Sequence, residues 1–205
     1  MPIRTAYSTK PLPDAVTELQ SELGRKARMV LFFASAGYDA AALSRQMQDA
    51  FPDACVAGCS AAGEIAQGRM LTGSVAAMVL DDETVEDAAA VVVGNLGAEI
   101  DIGSAFRELE SHFQAGAADW DIGKYVGLVL IDGLSGAEER LMERLGDSTD
   151  VFFVGGSAGD DLRFEATHVC AGGKASTGSA VLVLLRLRRG FTIVKTQSFR
   201  RFGSR

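Results

Sequence analysis

The sequence contains two similar stretches, and this internal repeat limits the folds that the chain can adopt. Met29–Ala61 aligns with Val126–Ala158 without a gap, and Thr72–Leu80 aligns with Thr177–Leu185 further along. Identical residues are few. Both stretches nevertheless give an apolar strand, a turn, an amphipathic helix and a second apolar strand that ends in a Gly-x-Ser-Ala segment. The repeat therefore predicts two copies of one supersecondary unit.

The first half of each copy has the pattern of a parallel strand pair. Met29–Ala34 and Val126–Ile131 are continuous apolar runs, which are typical of strands buried on both faces of a sheet. An amphipathic helix joins each run to a second strand, and this order predicts parallel pairing through a right-handed crossover. In the second copy, Ser135 and Glu138 have the spacing of a capping box, which predicts where that helix begins.

The second half of each copy has the pattern of a β-hairpin. In the first copy, Thr72–Leu80 and Val85–Val93 are apolar stretches separated by a polar turn. In the second copy, Ala166–Ala171 and Thr177–Arg186 flank the segment Gly172-Gly173-Lys174, whose glycines accept positive φ. We therefore predict one hairpin in each copy.

These patterns together predict an α/β fold that occupies residues 1–205 as a single domain. The repeated β-α-β-hairpin units, over 29–93 and 126–199, are expected to be related by a pseudo-twofold axis and to form mixed sheets. Apolar residues at helical spacing predict that two further helices, over 14–23 and 104–113, cover the sheets.

Composition and charge exclude several classes of protein. No apolar run approaches twenty residues, so no membrane span is predicted, and the first residues lack the apolar core of a signal peptide. The three cysteines, Cys55, Cys59 and Cys170, form no CxxC pair and indicate a reducing compartment. The net charge of −7 disfavours nucleic acid as a partner. We therefore expect a soluble cytoplasmic protein.

The C-terminal segment differs in charge from the rest of the chain. Residues 186–205 carry seven basic side chains and no acidic one, within an apolar strand pattern that includes Phe191 and Phe199. Such a segment is expected to pack on the acidic body of the protein or on another chain, which would make a homo-oligomer.

Each copy has one glycine-rich segment after its second strand. In open α/β sheets, ligands bind in the crevice at this end of the strands. Glycines allow close approach of the backbone, serines add an adaptable donor, and an acidic residue at the end of each segment could hold an ammonium group. Tight turns whose serines bond the local backbone would explain the same residues without a ligand. The residues predicted to bind a small zwitterion or carboxylate are Gly58, Cys59, Ser60, Ala61, Gly63 and Glu64 in the first segment, with Gly155, Gly156, Ser157 and Asp160 in the second.

Catalytic and cofactor chemistry have weaker support in the sequence. Cys59 or Ser157 could serve as the nucleophile of a hydrolase-like enzyme, but the two histidines, His112 and His168, are both distant from Cys59 in sequence. Neither glycine segment has the spacing of a nucleotide-binding fingerprint. We therefore predict no catalytic residue, no metal site and no enzymatic activity.

The segments 58–64 and 154–160 resemble the two signature stretches of the FIST family, in its N-terminal domain. The strands before, between and after them fit that family in the same order, so that the resemblance runs from about residue 4 to residue 190. It implies an intracellular sensory domain that binds small ligands such as amino acids and acts in signal transduction. It also implies an alternative, a haem-binding nitric oxide sensor that regulates a histidine kinase, although no haem ligand carries over to either histidine. Longer members have a further C-terminal domain, which is expected to be absent or truncated here.

Overall fold

The computed structural model describes residues 3–196 of the chain. Over these residues it has four α-helices: α1 Asp14–Leu23, α2 Ala40–Ala50, α3 Ile102–Phe113 and α4 Glu138–Ser148. The first seven strands are β1 Ile3–Ser8, β2 Met29–Ser35, β3 Cys55–Ala61, β4 Glu64–Ala66, β5 Arg69–Leu71, β6 Val75–Leu80 and β7 Val85–Val93. The remaining strands are β8 Tyr125–Ile131, β9 Phe153–Ser157, β10 Val169–Ala171, β11 Lys174–Ser176 and β12 Ala180–Leu187.

The strands form two mixed sheets and one small hairpin. The first sheet has the order β1-β6-β2-β3-β10-β11, and the second has the order β7-β12-β8-β9. The β2–β3 and β8–β9 pairs are parallel and the other neighbours are antiparallel, so the predicted parallel pairing and the α/β fold class are confirmed. Strands β4 and β5 pair only with each other.

The same strand order occurs in both sheets. In space, the series β1-β6-β2-β3 corresponds to β7-β12-β8-β9. Along the chain, each series begins with a strand and a helix, continues with two parallel strands joined by a second helix, and ends with a strand that returns to the middle of the sheet. Strand β7 therefore groups with the second sheet, although its sequence was assigned to the first unit.

Both predicted hairpins are wrong. Strands β6 and β7 are neighbours in sequence but lie in different sheets, and β10 pairs with the short strand β11 rather than with β12. Positive φ at Gly172 and Gly173 makes the turn between β10 and β11. Strands β11 and β12 are separated only by 177–179. The chain passes from the first sheet to the second over these three residues.

The core has four layers, helices on the outside and the two sheets between them. Side chains of β2 and β3, such as Leu31 and Ala57, pack against Val181 and Val183 of β12 to join the sheets. Helices α1 and α2 cover the outer face of the first sheet, and α3 and α4 cover that of the second. Helix α1 has the predicted bounds, and no helix within residues 3–196 is long and apolar enough to cross a membrane.

The start of α4 differs from the predicted capping box. The N-cap residue is Ala137, and no side chain caps the helix. Ser135 accepts a hydrogen bond from the backbone N–H of Ala137 at 3.3 Å, while Glu138 accepts one from Ser157 at 2.8 Å. The carboxylate therefore binds a neighbouring strand end instead of its own helix start.

The C-terminal strand pattern ends earlier than the sequence indicated. Strand β12 stops at Leu187, and 188–196 form no strand. Arg186 pairs with Glu86 at 3.4 Å, and Arg188 donates to the backbone oxygen of Asp82, so this part of the basic segment packs on acidic residues of the body. The predicted tail contacts of 197–205 lie outside the described residues.

Candidate functional site

The two glycine-rich segments lie mostly within strands rather than in loops. Gly58, Cys59, Ser60 and Ala61 belong to β3. Likewise, Gly155, Gly156 and Ser157 belong to β9. The expectation that these residues form loops is therefore wrong, because each strand continues through its glycines before the chain turns.

The structure brings most of the two segments together along an open groove of about 510 Å³ between the ends of β3 and β9. We call this the inter-sheet groove. Its lining is largely apolar and includes Cys59, Ser60, Ala61, Gly63, Gly155, Gly156 and Ser157. The backbone N–H of Gly159 donates to the oxygen of Ser60 at 3.0 Å and ties the two strand ends together. Gly58, Glu64 and Asp160 do not line the groove.

Two of the predicted glycines are explained by strand packing. A Cβ at Gly58 would clash with the backbone oxygen of Phe32, and a Cβ at Gly155 would clash with that of Val129. Both oxygens belong to the parallel neighbour strand, at corresponding places in the two sheets. A Cβ at Gly156 would have nothing within 4 Å. Gly58 and Gly155 are therefore required for close approach of the strands, whatever the ligand.

A smaller and more enclosed cavity, of about 140 Å³, lies at the carboxyl ends of β2 and β3. We call this the strand-end cavity. Its volume corresponds to about five water molecules at liquid density. Its polar lining comes from Ser35, Tyr38, Ser60, Asp160, Arg163, Glu165 and His168, together with the thiols of Cys59 and Cys170.

Three elements meet at the strand-end cavity. Strands β2 and β3 end there, and α2 begins there at Ala40, with Asp39 as its N-cap accepting from the N–H of Ala42 at 2.8 Å. The segment 158–168, between β9 and β10, crosses over the strand ends. A helix N-terminus beside the ends of parallel strands is a favourable environment for a negatively charged group.

Ser60 joins the cavity wall to the segment above it. Its Oγ accepts a hydrogen bond from the backbone N–H of His168 at 3.0 Å, and its own N–H donates to the oxygen of His168 at 2.9 Å. The hydroxyl proton of Ser60 remains able to donate to a ligand, since a serine oxygen both donates and accepts.

Asp160 organises the segment that covers the cavity. Its carboxylate accepts backbone N–H groups from Phe164 at 3.0 Å, Glu165 at 2.7 Å and Ala166 at 3.2 Å. These hydrogen bonds, led by that from Glu165, hold the pKa of Asp160 below its ordinary value. Asp160 lines the cavity, and its carboxylate also folds the loop, which the sequence did not indicate.

Glu64 lines neither space. Its side chain is 1 % exposed, and its Oε2 accepts from the hydroxyl of Ser74 at 2.6 Å and from the N–H of Ser74 at 3.3 Å. Its Oε1 is buried without a hydrogen-bond partner among the described residues. Burial raises the pKa of Glu64 above its ordinary value. The structure therefore does not bring Glu64 together with the other predicted site residues.

Sequence reasoning missed three polar residues of the cavity, Arg163, Glu165 and His168. Within residues 3–196, the side chains of all three make no hydrogen bond or ion pair. The cavity's tyrosine differs, because the hydroxyl of Tyr38 donates to the backbone oxygen of Lys10 at 2.7 Å. A polar segment after an apolar strand was the available signal, but it does not distinguish a site from a solvated loop.

The cysteines have the properties of buried thiols rather than of nucleophiles. Burial raises the pKa of Cys59 and of Cys55 to about 12, and that of Cys170 to about 11. A cysteine nucleophile requires a lowered pKa. The geometry therefore disfavours a cysteine-dependent enzyme.

The two histidines have different surroundings. His168 faces the strand-end cavity, whose volume of about 140 Å³ is below that of pockets for drug-sized ligands. The Nε2 of His112 lies 3.0 Å from the carboxylate of Asp87, and its ring stacks edge-on against Phe113. Among residues 3–196 no cluster of three or more ligating side chains could hold a metal ion.

Comparison with known proteins identifies the family of this chain. Residues 28–205 match the model of one protein family, described as the FIST N domain. No curated protein sequence matches the chain. FIST domains are sensory domains in signal transduction. The match covers most of the chain, and this protein therefore belongs to the FIST family.

Proposed function

We propose that this FIST domain senses an amino acid or a small carboxylate that binds in the strand-end cavity. The observation that carries the proposal is that Arg163 and Glu165, which are both solvent-exposed and form no ion pair within residues 3–196, line one small cavity with opposite charges. A zwitterion presents the complementary pair of charges, and each charge would gain a charge-assisted hydrogen bond.

The strand-end cavity suits such a ligand better than the inter-sheet groove does. The groove is open and mostly apolar, and its Ser157 hydroxyl already donates to Glu138 at 2.8 Å. The cavity combines Arg163 with the N-terminus of α2, and both favour a carboxylate. Its size admits a small metabolite.

Ligand binding would be transmitted through the segment 158–168. This segment follows β9 of the second sheet and leads into β10, which extends the first sheet beside β3. A ligand held by Arg163 and Ser60 would bridge this segment to the first sheet. In this proposal the protein acts in the cytoplasm, and its output partner is a signalling protein such as a histidine kinase.

The test is a thermal-shift screen of amino acids and small carboxylates, followed by calorimetric titration of each compound that raises the melting temperature. Arg163→Gln should weaken binding about tenfold or more, because a hydrogen bond to a charged group is lost. Arg25→Gln is the matched control, since Arg25 is exposed and does not line the cavity. The proposal fails if no compound of these classes binds, or if Arg163→Gln binds as tightly as the control.

A further inference from the structure

The hairpins β4–β5 and β10–β11 occupy corresponding places in the two halves of the chain. Each has two strands of three residues and is followed after three residues by the strand that returns to the sheet, β6 or β12. Their turns match too, because Gln67 and Gly68 have φ of 51° and 72°, and Gly172 and Gly173 have 54° and 78°. The two hairpins are therefore structural counterparts.

The two hairpins nevertheless pack in different places. Strand β10 pairs antiparallel with β3, through Val169–Ala171 against Ala57–Cys59, and so extends the first sheet. Strands β4 and β5 form a separate two-stranded sheet, and among residues 3–196 they pair with no other strand. Strand β9, the counterpart of β3, therefore has an edge that no described strand covers in the second sheet.

This free edge lacks the features that usually protect an edge strand. No charged residue occurs from 151 to 159, and Phe152 and Val154 are 52 % and 44 % exposed. Natural proteins protect such edges with charges, bulges or a covering element. A groove of about 290 Å³ runs beside the edge, lined by Val129, Ile131, Glu138, Leu141, Met142 and Phe153 with 155–157. We call it the α4–β9 groove.

The unpaired hairpin carries an apolar face that matches this groove. Ile65 and Met70 are register partners and are 78 % and 88 % exposed. Their counterparts in the other hairpin, Cys170 and Ala175, pack beneath α2 in the core of the first half. The position under α4 that corresponds to this packing is the α4–β9 groove.

We propose that the α4–β9 groove binds the β4–β5 hairpin of a second copy of this chain. Within one chain the hairpin is held on the first sheet: Glu64 binds Ser74, Gln67 donates to the oxygen of Thr5 at 3.1 Å, and Arg69 donates to Tyr7 at 3.2 Å. These bonds bury one face and leave Ile65 and Met70 outward. The outward face can contact a second molecule while these hydrogen bonds are kept. If the hairpin moved to β9 of its own chain, the hydrogen bonds would be broken.

Symmetry favours the same occupant. Each copy gives one hairpin and receives one. Such a reciprocal exchange closes as a twofold dimer and leaves neither groove open.

The first experiment measures the oligomeric state by sedimentation over a range of concentrations. Ile65→Lys and Met70→Lys should each raise the dimer dissociation constant about tenfold or more, because a charge replaces an apolar anchor. Ile122→Lys is the matched control, since Ile122 is 51 % exposed and lines neither the groove nor the hairpin. Circular dichroism of each variant checks that it folds. A wild-type protein that stays monomeric at all concentrations overturns the proposal.

The second experiment identifies which chain supplies the hairpin. Chains carrying Met70→Cys are mixed with chains carrying Met142→Cys and treated with a short bismaleimide crosslinker. The native thiols give little background, because Cys59 and Cys170 are buried and Cys55 is partly buried. A crosslinked dimer in the mixture, and not with either chain alone, supports exchange between copies. A chain with both substitutions that crosslinks only within itself overturns the proposal.

Discussion

Replacing Glu64 with glutamine should stabilise the protein, and the gain should increase as the pH rises. Glu64 is 1 % exposed, and one of its carboxyl oxygens has no partner among the described residues. Burial raises the pKa of Glu64, so the folded protein retains this proton at a pH where the unfolded chain has lost it. In that interval the native state binds more protons, and the free energy of unfolding falls with increasing pH. Glutamine removes this loss.

The expected magnitude follows from the contacts of the carboxyl group. An unpaired buried polar atom costs about 1–3 kcal/mol, and more when it is charged. The two hydrogen bonds from Ser74 offset part of that cost, and glutamine keeps an oxygen to accept them. We expect Glu64→Gln to gain about 1 kcal/mol at pH 8, which for a chain of this size is about 2–4 °C in Tm. Glu64→Ala should be destabilising, because it leaves the buried Ser74 donors unpaired.

The assay is thermal unfolding followed by circular dichroism at several pH values from 4 to 8. The difference in Tm between Glu64→Gln and the unsubstituted protein should be small at the acidic end and increase toward pH 8. Glu83→Gln is the control, because Glu83 is exposed and its substitution should give no pH-dependent difference. A glutamine variant that is less stable at pH 8 would refute the reasoning and would mean that a cation or a ligand ammonium stabilises the charged carboxylate.

Two further predictions concern the glycine segments and the thiols. Gly155→Ala should destabilise the protein by about 2 kcal/mol or more, since its Cβ would clash with the oxygen of Val129, whereas the adjacent Gly156→Ala should have little effect on urea unfolding. Equal losses for both variants would show that strand approach is not the reason for Gly155. Cys59 should react with iodoacetamide near neutral pH no faster than Cys170, because burial raises both pKa values. Fast reaction of Cys59 would instead favour the enzyme hypothesis.

The sequence predicted the parallel strand pairs and α1 because these elements carry strong local patterns. The apolar runs of β2 and β8 are continuous since the strands lie between a helix layer and a second sheet. A residue buried on both sides must be apolar whatever its neighbours are. Periodicity was therefore sufficient to identify these strands and their direction.

The hairpins could not be predicted because pairing partners are not a local property. Strands β6 and β7 are separated only by 81–84, a length that suits a hairpin turn, yet they belong to different sheets. The three-residue strands β4 and β5 are too short to show a clear alternation. What decides their placement is tertiary packing, which overrides strand patterns of this length.

Only some residues of the candidate site could be identified from the sequence, because the others are placed by tertiary packing. Ser60 and Asp160 were identified from the glycine segments that contain them, and both line the strand-end cavity. Arg163, Glu165 and His168 lie in a polar stretch with no periodicity, so nothing in the sequence distinguishes them from solvated loop residues. They reach the cavity because Asp160 binds three successive backbone N–H groups and folds the segment over the strand ends. Asp160 is thus the link between the motif that was recognised and the residues that were missed.

The difference between the two halves accounts for the position of both proposed sites. The first half has an enclosed cavity because segment 158–168 and β10, which belong to the second half, cover the ends of β2 and β3. The corresponding edge of the second half has no such cover, because β3 and β4 are joined by only two residues, Ala62 and Gly63, and β4 packs back onto the first sheet. The longer connection in the second half therefore encloses the proposed ligand cavity, and the shorter connection in the first half leaves the edge at which we propose that another chain binds. If both hairpins packed alike, the two halves would have matching cavities or matching edges. The unequal connections are therefore what places the two proposed sites in different halves.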